Sequence, residues 1–158
     1  MPEKVAIFVD VQNVYYTCRQ ALKGNFDYNA FWARVADGRE VVLAYAYAID
    51  RGDEKQRQFQ NILRAIGFEV KLKPFIQRAD GSAKGDWDVG ITIDMLESAA
   101  IADTLVLVSG DGDFAILADK LRRHYGKRVE VYGALGLTAK ALMDAASDFI
   151  AIDRKLLL

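Results

Sequence analysis

Two patterns of hydrophobic and polar positions alternate along this chain from one end to the other. Short, continuous apolar runs are typical of strands buried in a parallel sheet. Between these runs, apolar residues recur every three or four positions, as on one face of a helix. The alternation predicts a mostly parallel sheet of five to six strands with helices on both sides, a three-layer α/β/α fold. The predicted strands cover residues 4–9, 41–49, 68–75, 105–108, 129–132 and 149–152.

Six helical segments are expected between these strands. The helix over residues 87–100 is strongly apolar, and the spacing of Val89, Ile93 and Leu96 predicts that they mark its apolar face. Residues that favour the first position of a helix precede three of the other segments, and N-caps are therefore expected at Asp27, Asp53 and Thr138.

The third predicted strand differs from the others because polar and apolar residues alternate along it. Val70 and Leu72 alternate with Lys71 and Lys73, which is typical of a half-exposed strand at the edge of a sheet. A second copy of the chain could pair with such an exposed edge, so a homodimer is possible. The polar stretch that follows, over residues 77–85, is expected to be a loop near the functional edge of the sheet.

The overall composition is that of an ordinary globular protein. A chain of 158 residues suits one domain over residues 1–158, and a net charge of −1, from 21 basic and 22 acidic residues, does not by itself indicate a nucleic-acid binder. The single cysteine, Cys18, excludes an internal disulfide and a cysteine-based zinc site. Because neither a signal peptide nor a long apolar run is found, we expect a cytoplasmic protein that does not associate with membranes.

Acidic residues collect where the predicted strands and helices meet at one edge of the sheet. Asp10 ends the first strand, and Asp111 and Asp113 follow the fourth. Asp86 and Asp88 begin the helix that leads into the fourth strand. If the first and fourth strands are neighbours, their carboxyl ends converge, and Asp10 and Asp111 share one crevice. Carboxylates this close repel each other unless a proton or a cation compensates, and a hard cation prefers such oxygen ligands.

Several of the polar residues near this crevice have two interpretations. Asp113 is either a second ligand or a helix cap, and Asp86 is equally suited to capping. Asn13 lies about one helical turn past Asp10 and can aim its amide at that carboxylate. Asp94, inside the apolar helix, either faces the crevice from deeper in or pairs with a lysine or arginine.

Three short stretches, residues 8–13, 84–91 and 109–114, contain the acids at the predicted crevice. In their order and spacing they resemble the signatures of the NYN domain, and more narrowly the LabA-like branch of the PIN-like nuclease superfamily. The resemblance covers nearly the whole chain. It implies a PIN-like, Rossmann-like sheet and a metal-dependent ribonuclease site.

The resemblance also implies roles for individual residues of this chain. The family's metal ligands correspond to Asp10, Asp88 and Asp111, with Asp113 nearby and Asn13 as an accessory residue. The cofactor implied is Mg²⁺ or Mn²⁺, and the reaction is endonucleolytic hydrolysis of RNA phosphodiesters. A carboxylate-held ion of this kind can both neutralise phosphate oxygens and activate a water near neutral pH.

Substrate binding is expected from residues beside the acids. Lys84 matches the lysine of the family's Lys-Gly pair, and Ser109 opens the third motif. Asp86 and Trp87 stand between the Lys-Gly pair and Asp88, so Asp86 remains an alternative ligand.

The resemblance implies RNA as the partner, and the cations and aromatic rings near the crevice suit a single strand. Tyr15 and Tyr16 offer stacking surfaces for unpaired bases, whereas Tyr45 and Tyr47 are expected in the core. Basic residues after the second and third strands could contact phosphates, although each is equally well explained as a solvated surface charge. They are Arg51, Lys55, Arg57, Lys71, Lys73, Arg78 and Lys84.

Other classes of function were weighed against the metal-dependent nuclease. A haloacid-dehalogenase-type phosphatase needs Asp-x-Asp directly after the first strand, but Val11 and Gln12 follow Asp10. His124 lies at the far end of a helix from the acids, which argues against a metal-free, histidine-driven ribonuclease. A catalytically weak RNA-binding or regulatory interaction module on the same fold remains an open alternative.

Overall fold

The computed structural model describes residues 2–74, 76–77, 83–84 and 86–158 of the chain. Its strands, in chain order, are β1 (Glu3–Asp10), β2 (Arg39–Asp50), β3 (Glu69–Pro74), β4 (Ile76–Gln77), β5 (Ala83–Lys84), β6 (Thr104–Val108), β7 (Arg128–Gly133) and β8 (Asp148–Ala151).

Six of these strands form one sheet in the order β3-β2-β1-β6-β7-β8, with every neighbouring pair parallel. This arrangement confirms the predicted α/β class and strand number. It also places β3 at the edge of the sheet, as its alternating pattern predicts. The loop expected over residues 77–85 falls mainly outside the described residues, apart from the antiparallel pairing of β4 with β5.

Helices cover both faces of this sheet. They are α1 (Val11–Thr17), α2 (Tyr28–Ala36), α3 (Glu54–Ile66), α4 (Asp88–Ser98), α5 (Ala115–Arg123) and α6 (Lys140–Ala145), and α1 continues as a π-helix over Cys18–Leu22. Alternate residues of the central strand β1 feed two separate cores: Val5, Ile7 and Val9 pack in the one with α1 to α3, whereas Ala6 and Phe8 pack in the one with α4 to α6. None of the helices formed by the described residues has the length and apolar character needed to span a bilayer.

Two of the three predicted N-caps are found. The carboxylates of Asp27 and Asp53 each accept a hydrogen bond from the backbone amide three residues further on, at 3.0 and 2.8 Å. The prediction for Thr138 is wrong, because α6 begins two residues later and the Thr138 hydroxyl instead donates to the carbonyl of Ala134 at 2.9 Å. The threonine is buried, and this hydrogen bond stabilises the turn between β7 and α6.

The predicted apolar face of α4 is also wrong in part. Val89 and Ile93 are 71% and 50% exposed, whereas Ile91 and Met95 are fully buried. The helix is apolar on nearly every side, so spacing alone does not determine which side faces the sheet. The indole of Trp87, just before α4, donates to the carbonyl of Ala48 at 2.9 Å and so ties the start of the helix to β2.

The central pair of strands determines the position of the acidic motifs. Strand β1 pairs directly with β6, and Val9 lies opposite Val108. The next residues along these two strands are Asp10 and Ser109, so the first and third motifs leave the sheet side by side. The adjacency on which the shared crevice depends is therefore confirmed.

Candidate metal centre

Hydrogen bonds join the first and third motifs at the carboxyl edge of the sheet. The Ser109 hydroxyl donates to Oδ2 of Asp10 at 3.3 Å and accepts from the backbone amide of Asp111 at 3.2 Å. The backbone amide of Gly110 donates to Oδ1 of Asn13 at 2.9 Å. A Cβ atom on Gly110 would lie 2.5 Å from the carbonyl oxygen of Leu137, so only glycine fits this turn. The two motifs are thus held in a fixed relation by backbone and short side chains.

Three carboxylates converge beside this junction. One oxygen from each of Asp88, Asp111 and Asp113 can be chosen so that all three lie within 4.8 Å of one another. Asp88 stands on the first turn of α4, while Asp111 and Asp113 belong to the tight turn after β6. Oδ1 of Asp111 accepts from the amide of Asp113 at 2.9 Å, which closes that turn. A set of oxygen donors at this spacing suits a hard divalent cation such as Mg²⁺ or Mn²⁺.

An open cavity of about 410 Å³, here called the acidic cavity, contains most of the predicted site. Asp10, Asp88 and Asp111, the three ligands expected from the family resemblance, all line it. Asp10 does not belong to the set formed by Asp88, Asp111 and Asp113, but it lines the same cavity as Asp88 and Asp111. Among the residues that the structure describes, its lining is Asp10, Gln12, Asn13, Tyr16, Thr17, Ile49, Arg51, Asp86, Asp88 and Asp111.

Two of these carboxylates have raised pKa values, chiefly because they are buried. Burial raises the pKa of Asp10 to about 6; hydrogen bonds from the Asn13 backbone and the Ser109 hydroxyl oppose the shift, and repulsion from Asp111 and Asp86 adds to it. The pKa of Asp88 rises to about 7, first because of burial and then because of its hydrogen bond with Asp111 and the negative charges around it. Without a metal ion, the cavity therefore holds more negative charge than its surroundings stabilise, and a bound cation would relieve this repulsion.

The remaining predicted acids occupy different positions. Asp86 lines the acidic cavity, and its Oδ1 accepts from the amide of Asp88 at 3.1 Å in the turn just before α4, whose N-cap residue is Trp87. Asp94 points away from the cavity, pairing with Lys71 Nζ at 2.8 Å and accepting from the Tyr47 hydroxyl at 2.8 Å. Of the two interpretations of Asp94, the structure supports pairing.

The residues expected to bind substrate divide into three groups. Ser109 is only 1% exposed and its hydroxyl bonds to both neighbouring acid segments, an arrangement that favours positioning over direct substrate contact. Lys84 ends β5, but its side chain lies outside the described part of the chain, as does Arg78. Lys73 donates to the backbone carbonyl of Asp86 at 3.0 Å.

Other residues line the acidic cavity that were not predicted from the sequence as part of the site. Gln12 and Thr17 both line it, on the helix that follows β1. Gln12 lies inside the first motif, between Asp10 and Asn13, and its place there is the signal that would have identified it. No local signal marks Thr17, which reaches the cavity because α1 starts directly from the end of β1.

Comparisons with known proteins show the family and the fold. The model of a family described as the NYN domain matches residues 4–153, which confirms the resemblance predicted from the three motifs. The chain is 30% identical over 160 residues to the low amplitude and bright protein LabA of Synechococcus elongatus, covering 96% of this chain and 85% of that protein. It is 59% identical to a protein of unknown function, VPA0982 from Vibrio parahaemolyticus, whose crystal structure superposes with a TM-score of 0.95 over 99% of this chain and 97% of that one.

Proposed function

We propose, because this chain belongs to the NYN domain family, that it is a metal-dependent endoribonuclease whose ion is held at the acidic cavity. One observation carries the proposal. Asp88, Asp111 and Asp113 present oxygens within 4.8 Å of one another. Of these three residues, Asp88 and Asp111 line the acidic cavity, and Asp10 lines it with them. A group of acids with no catalytic or binding purpose would only destabilise the fold, since like charges at this distance repel each other.

Each acid has a distinct place in the proposed site. Asp88, Asp111 and Asp113 would bind a Mg²⁺ or Mn²⁺ ion, and Asp10 is the predicted fourth carboxylate of the set. Such an ion, when bound, would neutralise the phosphate oxygens of RNA and lower the pKa of a water molecule. Ser109 would act as a positioning residue, because its hydroxyl joins Asp10 to the backbone of the turn that carries Asp111.

Hydrolysis of a labelled single-stranded RNA tests this proposal. We expect cleavage with Mn²⁺ or Mg²⁺ and none in EDTA. Asp88→Asn and Asp111→Asn should each reduce the rate by roughly 100-fold or more, because several kcal/mol of charge stabilisation would be lost. Asp119→Asn is a matched control, since Asp119 lies on α5, does not line the acidic cavity and pairs with Arg123 at 2.6 Å.

Two outcomes would contradict the metal-dependent mechanism. The first is cleavage that continues in EDTA, and the second is full activity of Asp111→Asn. If RNA is bound but never cleaved under any of the metal conditions, the chain acts instead as an RNA-binding module on a nuclease-type fold.

A further inference from the structure

A second and larger cavity, here called the side cavity, opens directly beside the acidic cavity. Its volume is about 860 Å³, within the range of cavities that bind small organic ligands. Gln12, Tyr16, Ile49 and Arg51 line both cavities and therefore form their common wall. A chain molecule bound at the acids therefore passes beside residues that also line the side cavity.

The side cavity combines an apolar lining with cations. Phe26 and Tyr28 are buried core residues that form part of its surface, together with the partly buried Phe59. Arg19 and Lys55 line the same cavity. A planar, partly apolar group attached to an anionic backbone fits this combination, and a nucleotide has that chemistry.

Two acidic residues also line the side cavity among the described residues, and both interact with protein groups. The carboxylate of Asp53 caps α3 by accepting from the amide of Gln56 at 2.8 Å. Glu54 lies 3.8 Å from Arg57, in an exposed pair one helical turn long. Among the described residues, the lining carries three cations, Arg19, Arg51 and Lys55, against these two acids, so its balance of charge favours an anion.

Tyr16 is the aromatic ring best placed to contact a ligand in both cavities. Its side chain is 54% exposed although it belongs to the common wall. Tyr15 packs edge-on against it, with the ring centroids 5.4 Å apart, and the Arg19 guanidinium lies 5.3 Å from the centre of the Tyr15 ring. An exposed ring supported from one side by a second ring and a cation is a stacking platform of the kind that binds unpaired bases.

We propose that the side cavity is a nucleobase subsite, in which single-stranded RNA passing through the acidic cavity places a base flanking the reacting phosphate against Tyr16. The phosphates of the same strand would lie near Arg19 and Lys55. This inference rests on the proposed function, because it takes the acidic cavity as the place where the RNA backbone is held. It extends that function by naming the residue that recognises an unpaired base.

Binding measured without catalysis tests the subsite separately from the nuclease activity. The dissociation constant of a short, fluorescent single-stranded RNA is measured by anisotropy with Ca²⁺ in place of Mg²⁺ or Mn²⁺, so that an oxygen-preferring ion neutralises the carboxylates of the acidic cavity. The RNA is checked to be intact after the measurement. We expect Tyr16→Ala to weaken binding about tenfold or more, because one base loses its stacking partner. Tyr16→Phe keeps the ring and should bind as the unmodified protein does. Tyr125→Ala removes an exposed tyrosine after α5 that lines neither cavity, and should also leave binding unchanged.

A series of RNAs with one abasic position each identifies the stacked base. At one position, loss of the base should weaken the binding of RNA by the unmodified protein and by Tyr16→Phe. The same loss should not change the binding by Tyr16→Ala, because this variant lacks the ring on which the base stacks. Equal binding by Tyr16→Ala and the unmodified protein, or no binding of RNA at all, would overturn the subsite. If Tyr16→Ala binds normally while the unmodified protein cleaves RNA with Mn²⁺, the subsite is wrong and the nuclease proposal stands. If the base-dependent loss is seen without cleavage under any metal condition, the subsite stands and the nuclease proposal fails.

Discussion

Replacement of Asp111 by asparagine is expected to change stability in opposite directions with and without a metal ion. The substitution removes one negative charge from the three-carboxylate set and leaves the geometry of the turn nearly unchanged. The side-chain carbonyl of asparagine can still accept the hydrogen bond that Oδ1 of Asp111 receives from the amide of Asp113. Any change in stability should therefore come mainly from the lost charge.

The size of the effect follows from the distance between the carboxylates. Oxygens of Asp88 and Asp111 lie within 4.8 Å. Two unit charges at this separation repel by about 1 kcal/mol in water and by about 3.5 kcal/mol at an effective dielectric constant near 20. Because Asp88 is partly exposed, the lower value applies. At a pH of about 8, where Asp88 is ionised, metal-free Asp111→Asn should be more stable by about 1 kcal/mol, which raises its melting temperature by roughly 2–4 °C.

Addition of Mn²⁺ should reverse the order of the two proteins. A ligand at one hundred times its dissociation constant stabilises the folded state by about 2.7 kcal/mol. The unmodified protein should gain about this much, whereas Asp111→Asn should gain much less because one ligand oxygen has lost its charge. Thermal melting in EDTA and in a titration of Mn²⁺ measures both effects, with Asp119→Asn as the charge-matched control.

Two results would refute this reasoning. Lower stability of Asp111→Asn in EDTA would mean that the carboxylate makes a favourable interaction that outweighs the repulsion. An equal stabilisation of both proteins by Mn²⁺ would mean that the ion binds elsewhere.

Three further predictions concern the electrostatics and packing around the site. The pKa values of Asp10 and Asp88 are raised to about 6 and about 7, so the metal-free fold binds protons more tightly than the unfolded chain and loses stability as the pH rises from about 4 through 7. Asp10→Asn should remove about 3 kcal/mol of that loss, measured by urea unfolding in EDTA at several pH values. Gly110→Ala should lower the free energy of unfolding by about 1–3 kcal/mol, seen as a lower melting temperature, because its Cβ would collide with a backbone carbonyl 2.5 Å away. Glu130→Ala should cost about 3 kcal/mol or more in urea unfolding, with the same loss in EDTA and Mn²⁺, because it leaves Arg39 without a buried partner bonded at 2.7 Å.

The sheet could be predicted from the sequence because its strands carry their own signal. The runs that form β1 and β6 are continuous and apolar, since both faces of these strands are buried. The edge strand β3 alternates because its two faces differ: Val70 packs against the core with α1 to α3, whereas Lys71 pairs with Asp94 of α4 on the other face. General rules for doubly wound sheets then place β1 beside β6, and this adjacency is what brings Asp10 to Ser109.

The orientation of α4 could not be predicted in the same way. Val89, Ile91, Ile93 and Met95 are all apolar, so hydrophobic spacing allows more than one buried face. The structure buries Ile91 and Met95, on the side set by the anchoring of Trp87 to β2. That contact joins residues 39 positions apart in the sequence, and no local pattern encodes it.

The sequence left open whether Asp113 is a metal ligand or a helix cap, and in the structure the capping hydrogen bond is made by Asp111 instead. It is Asp111 that closes the turn, by accepting from the amide of Asp113 through Oδ1. A carboxylate has two oxygens, so this bond leaves the second oxygen of Asp111 available to a cation. The same bond folds the turn so that the carboxylate of Asp113 approaches Asp88. Capping and ion binding are therefore compatible in this motif: the hydrogen bond that closes the turn also brings the carboxylates to the spacing that an ion requires.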